Sequence, residues 1–593
     1  MATYKTPGVF IEEISTLGSS IAGVPTAVTG FVGYTEKATF LDGTSAANQP
    51  VRITSLLEFQ QIFGGAYSEK FKVTLTGTVP SPTSIAVLPT SITDAGPPVV
   101  STVTNFILFY QIQMFYANGG GTCYIVSVGN YSTFPISSAM TTALTSGINK
   151  FEQIDEVTLL CAPETVFLAT GDRKTVYNLL AAQCAKLQDR FAVLDTVHIN
   201  GNTIFQDAVN FRNEIGADNL KYAATYYPAL ETPTVYAYKD SDVAIIDNRT
   251  GALYNTAPNN TLFTVYNGVA SFKDFTVSSG VFVAGDTFKL TINGTDITLV
   301  PGTDYPIGAD NVAGTTNLVN AINNHPFLSQ YVLASKISPA VTFRVMSKIQ
   351  GLAATVGYKY TTVTTKFGPI TANGSFTGGL DNSTDKDLYN RISTELSKYI
   401  LSLYPSASMA GVYARVDADR GVWKAPANVG LALVNEPSIN ITDEDQENLN
   451  VDSTSGKSIN AIRAFSGRGT LVWGARTLAG NDNEWRYINV RRLFIYVEES
   501  CKKATEFVVF EANTANTWQR VKGMIEAFLT SLWRDGALAG ATPKDAFFVN
   551  VGLGTTMTPQ DILEGRMVVE IGLAAARPAE FIILRFQHKL QES

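Results

Sequence analysis

The short motifs that could support nucleotide binding or hydrolysis each lack a required residue. The tripeptide GKS at 456–458 ends like a phosphate-binding loop, but that loop needs a glycine five positions before its first residue, where this chain has Val451. A hydrolase nucleophile elbow around Ser466 needs a glycine at the position of Ala464. These departures predict neither a phosphate-binding loop nor a serine nucleophile in this region.

The residues that could bind a metal are similarly incomplete. Asp417 and Asp419 are spaced like the start of a calcium loop, but its bidentate glutamate would fall at Asn428. The acidic run at 443–447 is more typical of a solvated surface than of a cation site. The three histidines lie more than a hundred residues apart, which is no ligand spacing; they are His198, His325 and His588. We therefore expect no catalytic residue, metal or cofactor, and no enzymatic activity.

The amino-acid composition excludes some classes of protein and favours others. The 593 residues are 45% hydrophobic and 16% charged with a net charge of −8, so several domains with buried cores are expected. Clustered basic runs are absent from the sequence, which argues against nucleic-acid binding, and no stretch of about 18 apolar residues predicts membrane insertion. Cys123, Cys161, Cys184 and Cys501 form no CxxC pair and are interpreted as buried thiols of a chain that folds in a cytoplasm.

The strongest periodic pattern lies at residues 484–537 and predicts two amphipathic helices. An apolar stripe recurs every three or four residues in each helix. In the first helix the stripe is Val490, Leu493, Val497 and Cys501, and in the second it is Trp518, Val521, Ile525, Phe528 and Leu532. Glu498–Lys502, Glu499–Lys503 and Lys522–Glu526 are spaced as surface ion pairs, and Gly536 is placed as a left-handed C-terminal cap.

The remaining chain predicts an α/β fold with an insertion. Helical and strand patterns alternate from about residue 106 to 226, which indicates βαβ units on an open, mostly parallel sheet. Residues 232–384 are rich in Gly, Thr, Val and Asn with short alternating runs, including a hairpin at 287–299. Helix is expected at 387–403, loop at 409–433, and strands at 547–551, 566–573 and 580–586.

Six segments also resemble a known family. They read YKTPGVFIEEI, TAVTGFVGYTEKA, FEQIDEVTLLCAPE, DRGVWKAPAN, LVWGARTL and YINVRRLFIYVEES. In this order they are similar to contractile tail sheath proteins of bacteriophages and of phage-tail-like extracellular contractile injection systems. The likeness runs from Tyr4 to Phe586, with 68–100 and 232–384 as variable insertions. It implies a structural protein of a virion tail or tail-like particle, and the choice between the two stays open here.

The resemblance implies a sheath of hexameric rings stacked helically around an inner tube, which contracts when a baseplate triggers it. Its expected partners are further copies of itself, the inner tube protein, and baseplate and tail-terminator proteins. It implies assembly in the bacterial cytoplasm and release by lysis. Terminal arms pair with strands of neighbouring subunits by strand donation; here these would be Val9, Phe10, Ile11, Glu12, Glu13 and Ile14, and Phe581, Ile582, Ile583, Leu584, Arg585 and Phe586. We also hypothesise that Lys522, Glu526 and Arg534 face the tube.

The expected architecture is therefore an α/β protein, α+β in its C-terminal module, with an open mixed sheet, a β-rich insertion and extended terminal arms. The expected boundaries are an arm at 1–20, a sheath domain at 21–231 with a hairpin excursion near 68–100, an outer domain at 232–384, the returning sheath domain at 385–480, a tube-facing domain at 481–578 and a strand arm at 579–593. Two alternatives remain open: a self-assembling protein that does not contract, and an enzyme with a diffuse site.

Overall fold

A computed structural model describes the fold over most of the chain. The described residues are 21–78, 82–89, 106–131, 137–249, 261–262, 270–277, 281–283, 285–292, 294–337, 341–350, 356–361, 373–375 and 386–583. They belong to two compact units, each of which is discontinuous in sequence. The main unit comprises 1–67, 104–234 and 400–593, and the inserted unit comprises 68–103 and 235–399.

Strands and helices are numbered in chain order. The strands are β1 (Thr29–Thr35), β2 (Val51–Ile53), β3 (Phe71–Gly77), β4 (Pro82–Pro89), β5 (Cys123–Asn130), β6 (Leu159–Cys161), β7 (Phe191–Asp195), β8 (Ala223–Tyr227), β9 (Leu230–Val235), β10 (Val243–Asp247), β11 (Thr261–Leu262), β12 (Ala270–Thr276), β13 (Thr287–Ile292), β14 (Thr295–Leu299), β15 (Val332–Ile337), β16 (Thr342–Gln350), β17 (Val356–Thr361), β18 (Asn373–Ser375), β19 (Ile400–Leu403), β20 (Val429–Gly430), β21 (Glu436–Pro437), β22 (Asn460–Phe465), β23 (Gly469–Val472), β24 (Phe547–Val551) and β25 (Val569–Leu573). The helices are α1 (Leu56–Phe63), α2 (Leu108–Ala117), α3 (Ser137–Asn149), α4 (Thr170–Leu187), α5 (Ile204–Glu214), α6 (Asn311–Asn324), α7 (Leu328–Tyr331), α8 (Lys386–Leu396), α9 (Ser406–Arg420), α10 (Asp443–Asn450), α11 (Ile488–Thr505), α12 (Ala515–Arg534), α13 (Pro543–Ala546) and α14 (Pro559–Leu563).

The main unit is built on an open mixed sheet, as the sequence predicts. Its strand order is β2-β5-β1-β6-β7-β8-β22-β23-β20. The pairs from β5 through to β22 are parallel, and the pairs at both ends are antiparallel. Strands β1, β6, β7 and β8 are buried along their whole length. Their near-continuous apolar sequences follow from this position, because helices cover both faces of a parallel sheet.

A buried carboxylate fixes the start of α2 beside this sheet. Glu164 accepts hydrogen bonds from the backbone nitrogens of Tyr34 at 2.8 Å, Ile107 at 3.2 Å and Leu108 at 3.3 Å. Burial raises the pKa of Glu164 to about 8, although all three hydrogen bonds act in the opposite direction. The side chain therefore joins the first strand to the otherwise unsatisfied N–H groups of a helix start.

The prediction of a loop at 409–433 is wrong for the first half of this range, because α9 extends from Ser406 to Arg420. Residues 406–413 are buried on every side, so this part of the helix has no polar face. Its small residues allow close approach to α2, and a Cβ on Gly411 would lie only 2.4 Å from the carbonyl oxygen of Phe115. A fully buried helix lacks amphipathic periodicity, and its Ser, Ala and Gly content resembles that of a loop.

The helix expected at 387–403 is also too long. Helix α8 ends at Leu396, and residues 400–403 form β19, which pairs with β9. The Thr232 hydroxyl on β9 donates a 2.9 Å hydrogen bond to the carbonyl oxygen of Leu401. Long-range pairing thus decides the structure of a segment whose local sequence suits a helix.

The inserted unit combines the hairpin excursion predicted near 68–100 with the insertion predicted at 232–384. Strand β3 pairs in parallel with β10 and in antiparallel with β4, so the hairpin at 68–100 joins the sheet of the larger insertion. Helix α8 shares a core with these strands through Leu388, Ile392 and Leu396, which moves the second boundary from 384 to 399. A second core joins α6 to two further sheets, β12-β16-β15 and β14-β13-β17-β18. The expected hairpin is β13–β14, in which Gly294 has a φ of +80°.

Candidate functional site

The last hundred residues of the main unit form the predicted two-helix module. Helices α11 and α12 pack into one hydrophobic cluster through Leu493, Val497, Val521, Ile525 and Leu532. The antiparallel pair β24–β25 covers the same cluster, and Gly536 ends α12 with a φ of +84°. Residues 488–576 are called the C-terminal module below.

The ion pairs on these helices follow the prediction in part. Lys522 pairs with Glu526 at 3.8 Å, and Lys503 pairs with Glu499 at 3.5 Å. Glu498 instead accepts a 2.6 Å hydrogen bond from Arg491, so the expected Glu498–Lys502 pair is wrong. Arg491 lies about two helical turns before Glu498 and takes up its carboxylate, and Lys502 lies 3.2 Å from Glu499 instead.

The N-terminal part of the chain enters the fold at this module. Ile21 lies in the cluster of α11 and α12, and the backbone nitrogen of Val24 donates to the Ser500 hydroxyl at 3.2 Å. Arg492 on α11 donates to the carbonyl oxygen of Thr26 at 2.9 Å. The expected arm residues Val9, Phe10, Ile11, Glu12, Glu13 and Ile14 lie outside the described residues. Residues 21–26, which directly follow the expected arm, are therefore attached to the C-terminal module, although they are distant from it in sequence.

Arg492 also ties the module to α9. It donates to both carboxylate oxygens of Asp417, at 2.9 and 2.5 Å, and both side chains are almost fully buried. The guanidinium carbon lies 4.7 Å from the centre of the Tyr413 ring, whose hydroxyl is 2.7 Å from that of Tyr226 on β8. The aspartate that resembled part of a calcium loop is thus one half of a buried ion pair.

The C-terminal segment leaves the module along a groove of ≈ 1280 Å³. Residues 576–582 form one of its walls, and other parts of its lining include Trp423, Trp473 and Asn489. Residues 580–583 form no strand in the structure, which differs from the prediction for 580–586. Phe581, Ile582 and Ile583 are 71%, 80% and 78% exposed, whereas Leu584, Arg585 and Phe586 lie outside the described residues. Three consecutive exposed apolar side chains are unusual on a soluble surface and mark a contact region.

Glu580 lies directly before these exposed side chains, and its carboxylate is hydrogen-bonded to three other side chains. It accepts hydrogen bonds from Arg476, Asn450 and Tyr487 at distances between 2.6 and 3.2 Å. Burial acts to raise the pKa of Glu580, but the hydrogen bonds from Arg476 and Asn450 outweigh it, and the pKa is lowered. The sequence did not suggest this site, because Arg476 lies about a hundred residues upstream. The only local signal is an acidic residue just before an apolar run.

The three residues expected to face the tube lie on α12. Lys522 and Glu526 are half-buried and Arg534 is exposed. The first two are adjacent on one face of the helix, and Arg534 lies two turns further along. Their accessibility permits a contact with another chain.

Residues of the incomplete catalytic and metal-binding motifs make structural hydrogen bonds instead. Lys457 is buried, and its Nζ donates to the carbonyl oxygens of Arg212 and Ile215 at 2.6 Å each. His198 places Nδ1 2.5 Å from Asp207, a buried carboxylate that also accepts from Asn202. All four cysteines are buried free thiols, as predicted.

Neither a metal-binding cluster nor a membrane-spanning helix occurs among the described residues. Within the described ranges, no group of three or more His, Cys, Asp or Glu side chains could hold a metal ion. No helix in that part of the chain is both long and apolar enough to cross a bilayer.

Different parts of the chain are similar to known tail sheath proteins. Residues 480–589 match the phage tail sheath C-terminal domain. The tail sheath protein of Burkholderia phage BcepMu is 27% identical over 291 residues, which is 46% of this chain and 60% of that protein. The tail sheath protein of Vibrio phage KVP40 is 25% identical over 182 residues, which is 30% of this chain and 26% of that protein. The matches thus span about three fifths and one quarter of these relatives.

Solved structures match over the full length. The sheath complex of the extracellular contractile injection system PVC, in its contracted state, is 26% identical with a TM-score of 0.52, covering 99% of each chain. A chain of the six-fold symmetrised baseplate of the anti-feeding prophage AFP is also 26% identical, with a TM-score of 0.51, covering 99% of this chain and 100% of that one. Together with the C-terminal domain match and the two sheath relatives, these likenesses show that the chain is similar to contractile tail sheath proteins of phage tails and of phage-tail-like systems.

Proposed function

We propose that this chain is the structural subunit of a contractile sheath, in which hexameric rings stack helically around an inner tube. The observation that carries the proposal is the full-length likeness to a sheath complex in its contracted state. The six-fold symmetrised AFP baseplate supports rings of six subunits and an association with a baseplate. In this proposal the sheath also meets the tube protein and a tail terminator, assembles in the cytoplasm and is released by lysis.

The two terminal arms join neighbouring subunits in this proposal. Phe581, Ile582 and Ile583 present apolar surface after the C-terminal module, and Ile21 and Val24, which follow the N-terminal arm, contact the same module. Burying three such side chains against a neighbour contributes about 5 kcal/mol, at about 1.5–3 kcal/mol each. Backbone hydrogen bonds of a donated strand add about 0.5–1.5 kcal/mol each.

The pair β24–β25 is the acceptor that we assign to a donated strand. Within the described ranges this sheet has two strands and therefore two edges, and it lies on the hydrophobic cluster of α11 and α12. An isolated two-stranded sheet is only marginally stable in water, and addition of strands at its edges completes it. Strand donation by neighbours would thus stabilise the acceptor and the donor together.

Contraction is a change from a metastable extended arrangement to one with larger or better matched subunit interfaces. Such a transition requires each subunit to move as a rigid body while its links to neighbours persist. Terminal arms that stay paired with a neighbouring subunit while the subunits rotate would meet this requirement. The free energy released per subunit is small and is multiplied by the number of subunits in the sheath.

Electron microscopy of the purified wild-type chain, alone and with its tube protein, tests the proposal. We expect hollow striated cylinders in two states, one long and narrow and the other short and wide. A polymer of one fixed length per ring would contradict contraction and favour a passive assembly protein. Monodisperse particles under all assembly conditions would contradict the sheath function.

A further inference from the structure

The C-terminal segment is attached to two different parts of the main unit. Its first residues remain on the C-terminal module, where Ala574 donates to the carbonyl oxygen of Ala546 and Ala576 donates to that of Ala537. Four residues later, Glu580 is bound by Arg476, Asn450 and Tyr487. All three of these residues precede the module in sequence. The segment thus crosses from the module to another layer before it becomes exposed.

The contact at Glu580 is a fork. Arg476 donates from Nε to Oε1 at 2.9 Å and from Nη2 to Oε2 at 2.6 Å. Asn450 Nδ2 adds a 2.8 Å bond to Oε1, and the Tyr487 hydroxyl adds a 3.1 Å bond to Oε2. The Arg476 side chain is 4% exposed and that of Glu580 is 20% exposed. Charge-assisted bidentate pairs of this kind are among the stronger hydrogen-bonded contacts in proteins and fix both partners in orientation.

Arg476 is in turn joined to the central sheet. Its backbone nitrogen donates to Asn460 Oδ1 at 2.7 Å, and Asn460 Nδ2 donates to the carbonyl oxygens of Arg476 at 2.8 Å and Thr225 at 3.0 Å. Asn460 begins β22 and Thr225 lies in β8, which are neighbouring strands of the nine-stranded sheet. A continuous series of buried polar contacts therefore leads from Glu580 to the middle of the main unit.

We propose that the Glu580–Arg476 fork is an anchor that transmits tension on the C-terminal arm to the central sheet. This inference rests on the proposed sheath function, in which the arm is held by a neighbour and pulled as the rings rearrange. Without the anchor, tension would act on residues 574–576 and open their backbone hydrogen bonds one after another. With the anchor, the same tension meets several charge-assisted bonds at once, immediately before the exposed residues Phe581–Ile583. Glu580 and Arg476 are thus positioning residues for the arm.

Two variants separate anchoring from simple stability. E580A leaves the buried Arg476 guanidinium without its carboxylate, which destabilises the subunit by itself. The double variant E580A/R476M removes both charges, and replacing a buried ion pair by apolar side chains is often neutral for stability. The matched control is E564A/R566M, which removes the exposed ion pairs of Arg566 with Glu564 at 2.6 Å and with Asp561 at 2.8 Å.

The experiment compares sheaths of the wild type, E580A/R476M and the control before and after contraction is induced. We expect all three to assemble, and the fraction of broken sheaths after contraction to rise at least tenfold in E580A/R476M only. Unbroken contracted sheaths of E580A/R476M would overturn the anchor. A wild type that forms no contracting sheath would instead overturn the proposed function.

A measurement on the unassembled subunit tests the attachment independently of the sheath. Hydrogen exchange of the backbone amides in residues 574–583 should accelerate at least tenfold in E580A/R476M and stay unchanged in the control. Equal exchange in the wild type and E580A/R476M would overturn the anchor even where no polymer forms. A difference in exchange together with intact contracted sheaths would show attachment without transmission of tension, and would overturn the proposal as well.

Discussion

Buried charged residues determine how the main unit is held together. Arg492 binds Asp417, Arg476 binds Glu580, and Glu164 binds backbone groups of two distant segments. Each contact joins residues that are at least 56 positions apart, as in the pair Glu164–Leu108. Removing one partner leaves a buried group without compensation, so these positions are more sensitive to substitution than surface charges.

The pH dependence of stability should reveal Glu164. Its pKa is raised from 4.5 to about 8 in the folded chain, so between these values the folded state holds one proton more than the unfolded state. The contribution of Glu164 to stability is therefore complete below about pH 4.5 and is lost as the pH rises through about 8. E164Q should remove this dependence, which amounts to at most about 1.4 kcal/mol per pH unit.

Urea unfolding between pH 5 and 9, followed by tryptophan fluorescence, measures this effect. All five tryptophans lie at or beyond residue 423 and report on the main unit. The exposed Glu447 offers a matched control in E447Q. Parallel pH profiles for the wild type and E164Q would contradict the assignment.

At the scale of elements, periodicity predicts α11, α12, β24 and β25 because each presents an apolar stripe to the hydrophobic cluster of the C-terminal module, although α11 also packs Ile488 and Ile495 into the core of the central sheet. The same reasoning fails for α9, which is buried on all sides in its first half. Close packing of α9 against α2 depends on small residues, and this dependence gives a sharp test.

Substituting Gly411 should disturb that packing. In G411A the new methyl group would lie 2.4 Å from the carbonyl oxygen of Phe115 and 3.0 Å from Cβ of Asn118. Overpacking of this kind costs about 1–3 kcal/mol in the free energy of unfolding. The control is G523A on α12, where nothing lies within 4 Å of the added Cβ and helix propensity should add up to about 1 kcal/mol of stability. Opposite signs in urea unfolding are expected, and equal stability of G411A and the wild type would contradict the packing.

The charged face of α12 allows a test of the tube contact. The double variant K522E/E526K keeps the i,i+4 ion pair and exchanges its charges, so the helix itself should be preserved. We expect weaker assembly of the sheath on its tube and a changed dependence on salt, measured by cosedimentation across a range of ionic strengths. The exchange E152K/K186E, on the ion pair of Glu152 and Lys186, is the control. Unchanged assembly and salt dependence in K522E/E526K would remove Lys522 and Glu526 from the tube interface.

At the scale of the whole molecule, the main unit supplies the surfaces that the proposed sheath needs, and both terminal segments attach to it. Residues 1–20 precede Ile21 in the cluster of α11 and α12, and residues 581–593 follow the anchor at Glu580. The inserted unit has two hydrophobic cores of its own. Its sequence could therefore vary between related proteins without a change in the core of the main unit.

Deleting residues 1–15 should separate folding from assembly. The contacts of Ile21, Val24 and Thr26 with α11 remain in this variant, so the subunit should keep its circular dichroism spectrum and unfolding midpoint. We expect no cylinders in electron micrographs under conditions in which the wild type polymerises. Long polymers of the truncated chain would disprove strand donation by the N-terminal arm.

The sequence by itself determined the α/β class, the mostly parallel sheet, the two helices of the C-terminal module and the similarity to tail sheath proteins, because these depend on local periodicity and on short motifs in a fixed order. It also showed that the recognised catalytic motifs are incomplete. Only the tertiary structure decided that α9 is a helix, that β19 pairs with β9, and that the hairpin β3–β4 joins the inserted unit. It likewise decided that Glu580 is bound by Arg476. Each of these depends on a contact between residues far apart in the chain, whose energy exceeds local preference and leaves no periodic trace in the sequence.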